Sequence, residues 1–331
     1  MNFFVISIRK YFITSIFVIF TISLIVFSET NLIAARNGLA LFAFSVFPTL
    51  FPFFIATELM LKTNIIYILG KILNKFMKPI FNLPGESSIA IILGIISGYP
   101  VGAKVVCNLK EKKIISKVEA ERLISFTNNS GPLFILGTVG ISLFGNKKIG
   151  IILLVSHILA ALTVGYIFKF WKKDKLQVDL IKKTESSNKL VKVSELGEII
   201  GDSIKNSIST ILAIGGFIVL FSVIISILKN SGLIDICQII LLNLGIPENI
   251  SFGVISGIVE LTNGINHIST LCEEFPTLSV LITSFILGFG GISVLLQVFS
   301  IISKEHISIK PYLYGKLLHG IISVVYTFML I

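Results

Sequence analysis

Glu260 is the acidic residue placed deepest in an apolar stretch of this chain, within Glu260-Leu261-Thr262-Asn263-Gly264 and shortly before Asn266 and His267. A carboxylate at the centre of a membrane-spanning helix costs about 2.5–3.5 kcal/mol on insertion scales, so such a group marks function by default. It can accept hydrogen bonds from a polar solute, hold a coupling cation or carry a proton. Its structural alternative is to cap a half-helix or to pair with a buried lysine. Thr262, Asn263 and Asn266 extend the polar cluster.

Three further interruptions share that character. Ser97-Gly98-Tyr99-Pro100-Val101-Gly102-Ala103-Lys104 joins glycines, which allow close backbone approach, to a ring and a hydroxyl at Tyr99. There Ser97, Gly98 and Tyr99 are candidate contacts, while Lys104 reads as a side chain that snorkels to the surface. Asn128-Asn129-Ser130-Gly131-Pro132 places two carboxamides and a hydroxyl in a charge-free run, as caps across a break, as ligand contacts, or as both. Gly288-Phe289-Gly290-Gly291 has no polar side chain and offers carbonyls or a kink. Irregular backbone at membrane depth survives only inside protein or beside a water-filled cavity. Interrupted segments at matching positions of two repeats point to a transporter site, with half-helix N-termini facing a ligand and unwound carbonyls able to hold a cation. The lone histidines His157 and His319 read as helix-to-helix hydrogen bonders.

The elements that carry these breaks follow from hydropathy. The 331 residues are 54% hydrophobic and 14% charged, with a mean hydropathy of +0.93; soluble domains carry about 25% charged residues. Runs long enough to span lie at Tyr11–Phe27, Gly38–Met60, Leu123–Phe144, Ile149–Phe168, Ser207–Leu228, Leu278–Ile302 and Pro311–Ile331. Ser87–Ala103 and Ile250–Leu271 are interrupted near their middles and read as re-entrant. With that topology all but four of the 28 Lys and Arg fall on one side, the four being Arg36, Lys147, Lys148 and Lys229. Lys316 is counted among the inner residues. The positive-inside rule then places the N-terminus in the cytoplasm.

Element order repeats. Leu83-Pro84-Gly85-Glu86-Ser87 and Ile246-Pro247-Glu248-Asn249 each follow an amphipathic stretch (Lys71–Phe81; Asp235–Leu244) and precede a broken segment. The fold class is therefore an all-α polytopic membrane protein, an inverted repeat of about seven transmembrane helices plus two re-entrant hairpins. The organisation read from this is a span with a short outer loop over 1–36 and a first repeat over 37–171. A charged cytoplasmic linker over 172–205 leads to a second, inverted repeat over 206–331.

Other classes are excluded by what the chain lacks. The net charge of +10 is dispersed between apolar runs and shows no basic, aromatic-interleaved groove for nucleic acid. Three cysteines without metal-like spacing imply neither a disulfide framework nor a zinc site. No His-Glu-x-x-His, Gly-x-Ser-x-Gly or Walker loop is present, so no enzyme and no cofactor is expected; a coupling cation or proton is compatible with Glu260. The partners expected are the lipid bilayer and an unknown small polar solute.

At Ser97–Lys104, Phe126-Thr127-Asn128-Asn129-Ser130-Gly131-Pro132-Leu133-Phe134 and Glu260–Gly264, with Leu50-Phe51-Pro52-Phe53-Phe54 in support, the chain resembles the YlbJ family. These are sporulation integral membrane proteins of spore-forming Firmicutes. They are grouped with nucleoside-recognition, or Gate, domains, which also occur in concentrative nucleoside transporters and ferrous-iron transport proteins. The resemblance implies a role in spore cortex formation from the mother-cell or outer forespore membrane, alongside other sporulation membrane proteins, and supplies no substrate. The reading that results is a transporter or gate working by alternating access. In it, Glu260, Thr262 and Asn263 face Tyr99, Asn128 and Asn129. A membrane scaffold for cortex-assembly proteins and a channel subunit are the alternatives.

Overall fold

A computed structural model describes residues 3–62, 65–172 and 196–331. Among these residues every regular element is helical. α1 (Phe3–Val26) and α2 (Ser28–Leu41) meet at Phe27, and a π-helical turn (Phe42–Val46) joins α2 to α3 (Phe47–Leu61). The outer loop expected before residue 37 is thus helix. Its polar residues have partners that a loop reading overlooks: Asn31 Nδ2 donates to the Ser23 carbonyl at 3.1 Å, and Thr30 Oγ1 accepts from Asn230 Nδ2 at 2.9 Å. The linker expected over 172–205 lies mostly outside the described residues, and its last ten positions begin α9 (Leu196–Asn230) instead.

Two stretches of the chain then run through the same series of elements. The first comprises α4 (Ile65–Phe81), α5 (Ser88–Ser97), α6 (Val101–Glu111), α7 (Lys117–Thr127), a π-helical segment (Phe134–Leu143) and α8 (Lys147–Phe168). The second comprises α10 (Leu233–Asn243), α11 (Glu248–Val259), α12 (Leu261–Thr270), α13 (Pro276–Phe289), α14 (Gly291–Ile302) and α15 (Ile309–Leu330). α4 and α5 meet at 100°, and α10 and α11 at 120°. Pro84 and Pro247, both extended, set the two corners.

α5, α6, α11 and α12 hold 10 to 12 residues each. At 1.5 Å per residue that is about 15–18 Å, half of the ~30 Å hydrocarbon core, so none of them crosses alone. Each pair packs together as a hairpin with glycine at its closest contacts. A β-carbon on Gly94 or Gly102 would lie 1.6 or 2.2 Å from the Thr127 carbonyl oxygen, so α5 and α6 straddle the end of α7. A β-carbon on Gly264 would lie 2.1 Å from Gly257 Cα, which brings α11 and α12 backbone to backbone. Five helices are long and apolar enough to span outright: Ser28–Ala56, Lys147–Phe168, Leu196–Asn230, Pro276–Glu305 and Ile309–Leu330. The expected Leu123–Phe144 span is α7 plus the π-helical segment, broken where the asparagines predict.

A capping box fixes the start of α7, with Ser116 Oγ accepting from Glu119 N at 3.2 Å and Glu119 Oε2 accepting from Ser116 N at 2.7 Å. Buried Arg122 then ties α7 to its surroundings, donating to the carbonyls of Trp171, Asn82 and Lys172. Neighbouring Glu121 accepts from Trp171 Nε1 and Lys172 Nζ, both at 3.0 Å.

Candidate solute site at the two hairpin tips

The tip of the first hairpin is Gly98-Tyr99-Pro100, with a cis Tyr99-Pro100 bond and Gly98 at φ 77°. It docks on the break of α7: Tyr99 N donates to the Asn129 carbonyl at 2.7 Å, and Ser130 Oγ lies 3.5 Å from the Tyr99 hydroxyl. A side chain at Gly98 would meet Gly131 N at 2.7 Å, so this contact requires glycine on spatial as well as conformational grounds.

The tip of the second hairpin is a single extended residue, Glu260, at φ −144° and ψ 118°. Its Oε2 accepts from Asn263 N at 2.7 Å and from Asn263 Nδ2 at 2.8 Å, closing the N-terminus of α12. Ser222 of α9 donates to Asn263 Oδ1 at 3.1 Å. Glu260 is therefore an N-cap, the structural role foreseen for it, and at 2% exposure it is also part of a cavity wall.

That cavity brings the halves together. Ser97, Gly98 and Tyr99 line it from one tip, and Glu260, Leu261 and Thr262 from the other. Val46, Leu50, Phe134, Ile214, Ile218 and Val294 give it apolar walls, and Gln297 of α14 adds a carboxamide. Its free volume is about 20 Å³, room for roughly one water molecule. In this conformation the space for a solute is small. Gln297 is 8% exposed, and among the described residues its carboxamide bonds to nothing; it stands alone in an apolar run away from the break, so the sequence carries no signal for it.

The other expected residues sit differently. Asn128 points away from the cavity, its Nδ2 donating to the Tyr312 hydroxyl at 3.0 Å and its Oδ1 accepting from Ala103 N at 3.4 Å. Asn129 Nδ2 donates to the Phe126 carbonyl at 2.8 Å, capping the end of α7. Ser130 Oγ donates to the Leu287 carbonyl at 3.4 Å. These three brace the break, and Asn263 braces the opposite tip, so the face-to-face pairing of Asn128, Asn129 and Asn263 is not formed. Asn266 is exposed one helical turn beyond Thr262 and takes no part. Lys104 is exposed and its Nζ donates to Thr210 Oγ1 at 3.0 Å, in keeping with a surface-seeking lysine.

Lys316 departs furthest from its sequence reading. Counted among inner-surface residues, it is 1% exposed, and its Nζ donates to the Asn128 carbonyl at 3.1 Å. Its neighbour His319 holds the His157 carbonyl at 2.9 Å through Nε2. The two imidazoles lie 4.3 Å apart, and His157 Nε2 accepts from Ser130 N at 3.2 Å. The helix-to-helix role expected of both histidines is what their bonds describe. Among the described residues no cluster of His, Cys, Asp and Glu is arranged to hold a metal ion.

Comparison with known proteins agrees with this architecture. Residues 43–165 match the family model described as Gate, nucleoside recognition. The sporulation integral membrane protein YlbJ of Bacillus subtilis (strain 168) is 35% identical over 340 residues, covering 98% of this chain and 83% of that protein. The solved structure of CNTnw in an inward-facing substrate-bound state superposes with a TM-score of 0.60 at 15% identity, over 94% of this chain and 85% of that one. A double variant of CNTnw in an outward-facing state gives a TM-score of 0.56 at 13% identity, with the same coverage.

Proposed function

We propose that this chain, which belongs to the YlbJ family of sporulation integral membrane proteins, moves or gates a small polar solute in spore cortex formation by exposing its central cavity to the two sides of the membrane in turn. One observation carries this reading: the tips of two hairpins, one from each repeat, wall a single small cavity holding a carboxylate, a phenol and an unbonded carboxamide. Apolar walls with a few convergent polar groups are the usual make-up of a small-molecule site. The fold shared with CNTnw, solved in inward- and outward-facing states, supports a moving gate.

In this reading Glu260 and Gln297 recognise the solute, with Tyr99, Ser97 and Thr262 around it. Asn128, Asn129, Ser130 and Asn263 keep the broken helices in shape. Lys169 Nζ reaches the Pro79 carbonyl at 2.9 Å and Lys62 pairs with Asp202 at 3.0 Å, so the lysine-rich ends of α3, α4 and α8 share one face with the start of α9. The positive-inside rule assigns that face to the cytoplasm. Purified protein screened by thermal shift against nucleosides, amino acids, dipicolinate and cations tests the reading: stabilisation by one class that Gln297→Leu removes supports it, and no response to any class opposes it.

A cavity of about one water's volume also suits a protein that never opens and serves as a membrane scaffold. Shortening the basic stretch within residues 174–192 separates the two. A scaffold working through that segment loses sporulation function at normal expression, and a transporter tolerates the change.

A further inference from the structure

Lys316 lies at the end of a broken half-helix. α7 stops at Asn128, whose backbone leaves the helical region at φ −100° and ψ 89°. Carbonyls at such an end have lost their helical partners, and the helix dipole makes the end partly negative. In membrane transporters this geometry holds a coupling cation. Here the Asn128 carbonyl is taken by the Lys316 ammonium, which is tethered to α15.

Among the described residues no carboxylate lies within ion-pair distance of Lys316. The carboxylates paired with a cation among the described residues are Asp202, Glu305 and Glu121, and their partners are Lys62, Lys110 and Lys172. Among the described residues the titratable groups near Lys316 are His319 on its own helix, His157 on α8, and Tyr312, which bonds the same Asn128. Glu260 stands across the break between α13 and α14: a β-carbon on Gly290 would lie 3.6 Å from Lys316 Cε, and one on Gly291 would lie 3.5 Å from Glu260 Cα.

The hydrogen bonds assign the protons. His319 Nε2 faces a carbonyl and so donates, which leaves Nδ1 as the acceptor that Lys316 Nζ approaches at 3.5 Å. His157 Nε2 accepts from Ser130 N, so its proton is on Nδ1, a buried atom with no partner. His319 Nδ1 is thus the base that Lys316 Nζ approaches, beside the break that the first hairpin grips through Tyr99 N and the Asn129 carbonyl.

We propose that Lys316 is the resident cation of the α7 break, and that a proton on Lys316 and His319, not a metal ion, couples to movement of the hairpin tips. Protonated, the ammonium binds the Asn128 carbonyl and holds the break in its docked shape. When the N–H bond of Lys316 breaks, its electron pair stays on nitrogen as a neutral amine and the proton bonds to His319 Nδ1, making an imidazolium. Solvent water admitted to the break then takes that proton as hydronium, the carbonyl has lost its cation, and the tip is released. This rests on the transporter reading for its purpose. The binding event itself needs no solute.

Proteoliposomes of the full chain adsorbed on a solid-supported membrane, given pH jumps and separately sodium jumps without solute, test the proposal. We expect a transient charge displacement on a pH jump and none on a sodium jump. Lys316→Arg, which keeps a permanent charge, and His319→Gln should each reduce the pH response at least several-fold while inserting normally. A sodium response in the unaltered protein, no pH response, or a pH response unchanged in both variants overturns the proposal. Loss of solute movement with an intact pH response would sink the transporter reading and leave this one standing.

Discussion

Glu260 and Asn263 hold each other twice: one carboxylate oxygen accepts the Asn263 backbone N–H at 2.7 Å and its Nδ2 at 2.8 Å. The residue that shapes the second tip is thus also the one acidic group in the cavity wall. Geometry and charge can be separated by substitution, because an amide oxygen still accepts a hydrogen bond but carries no charge.

Glu260→Gln should abolish formation of heat-resistant spores while membrane insertion and thermal stability stay near normal. Glu260→Ala removes the cap as well and should lose about 1 kcal/mol of stability in addition. Normal heat-resistant spore counts from Glu260→Gln contradict a role for the charge.

Gly94→Ala and Gly102→Ala each set a methyl against the Thr127 carbonyl, an obstacle of backbone that cannot rotate aside. Overpacking typically costs about 1–3 kcal/mol, and here the upper end or more is expected. Gly216→Ala, where nothing lies within 4 Å, is the control and should be neutral or slightly stabilising. Melting of detergent-purified variants reads the difference, and equal melting for all three refutes the docking of the first hairpin on α7.

Gln297→Leu keeps side-chain volume and removes a carboxamide that no other described residue engages. Function should be lost or its solute preference altered with no drop in melting temperature. A destabilised protein would show instead that Gln297 is structural.

Arg122→Lys should destabilise nearly as much as Arg122→Ala, since one ammonium cannot serve the three carbonyls that the guanidinium fork reaches. Hydrogen bonds to a charged group contribute about 1.5–3 kcal/mol each. Full stability of the lysine variant argues against the clamp.

The broken elements were legible in sequence because glycine, proline and carboxamides interrupt apolar runs for reasons of backbone chemistry. Both tips and both broken spans fall where Ser97–Lys104, Asn128–Pro132, Glu260–Gly264 and Gly288–Gly291 place them. What sequence hid were directions and partners. Lys316 sits in a basic-flanked stretch that resembles a membrane edge, and its partner is a main-chain carbonyl, which leaves no residue signature. Ser28–Asn31 resemble a loop until their bonds to Ser23 and Asn230 are seen. Asn128 and Asn263 have polar groups suited to a ligand, but neighbours in the fold, Tyr312 and Ser222, already use them.

Alternating access requires a centre that opens to each side in turn, and cysteine accessibility measures this directly. With Cys107, Cys237 and Cys272 replaced by serine, Thr262→Cys would be exposed to a membrane-impermeant maleimide from the outside, and then in inverted vesicles from the inside. Labelling from both sides, slowed by whatever solute stabilises the protein, is the predicted result. No labelling from either side, with the same cysteine reactive after denaturation, would contradict alternating access and leave a sealed scaffold.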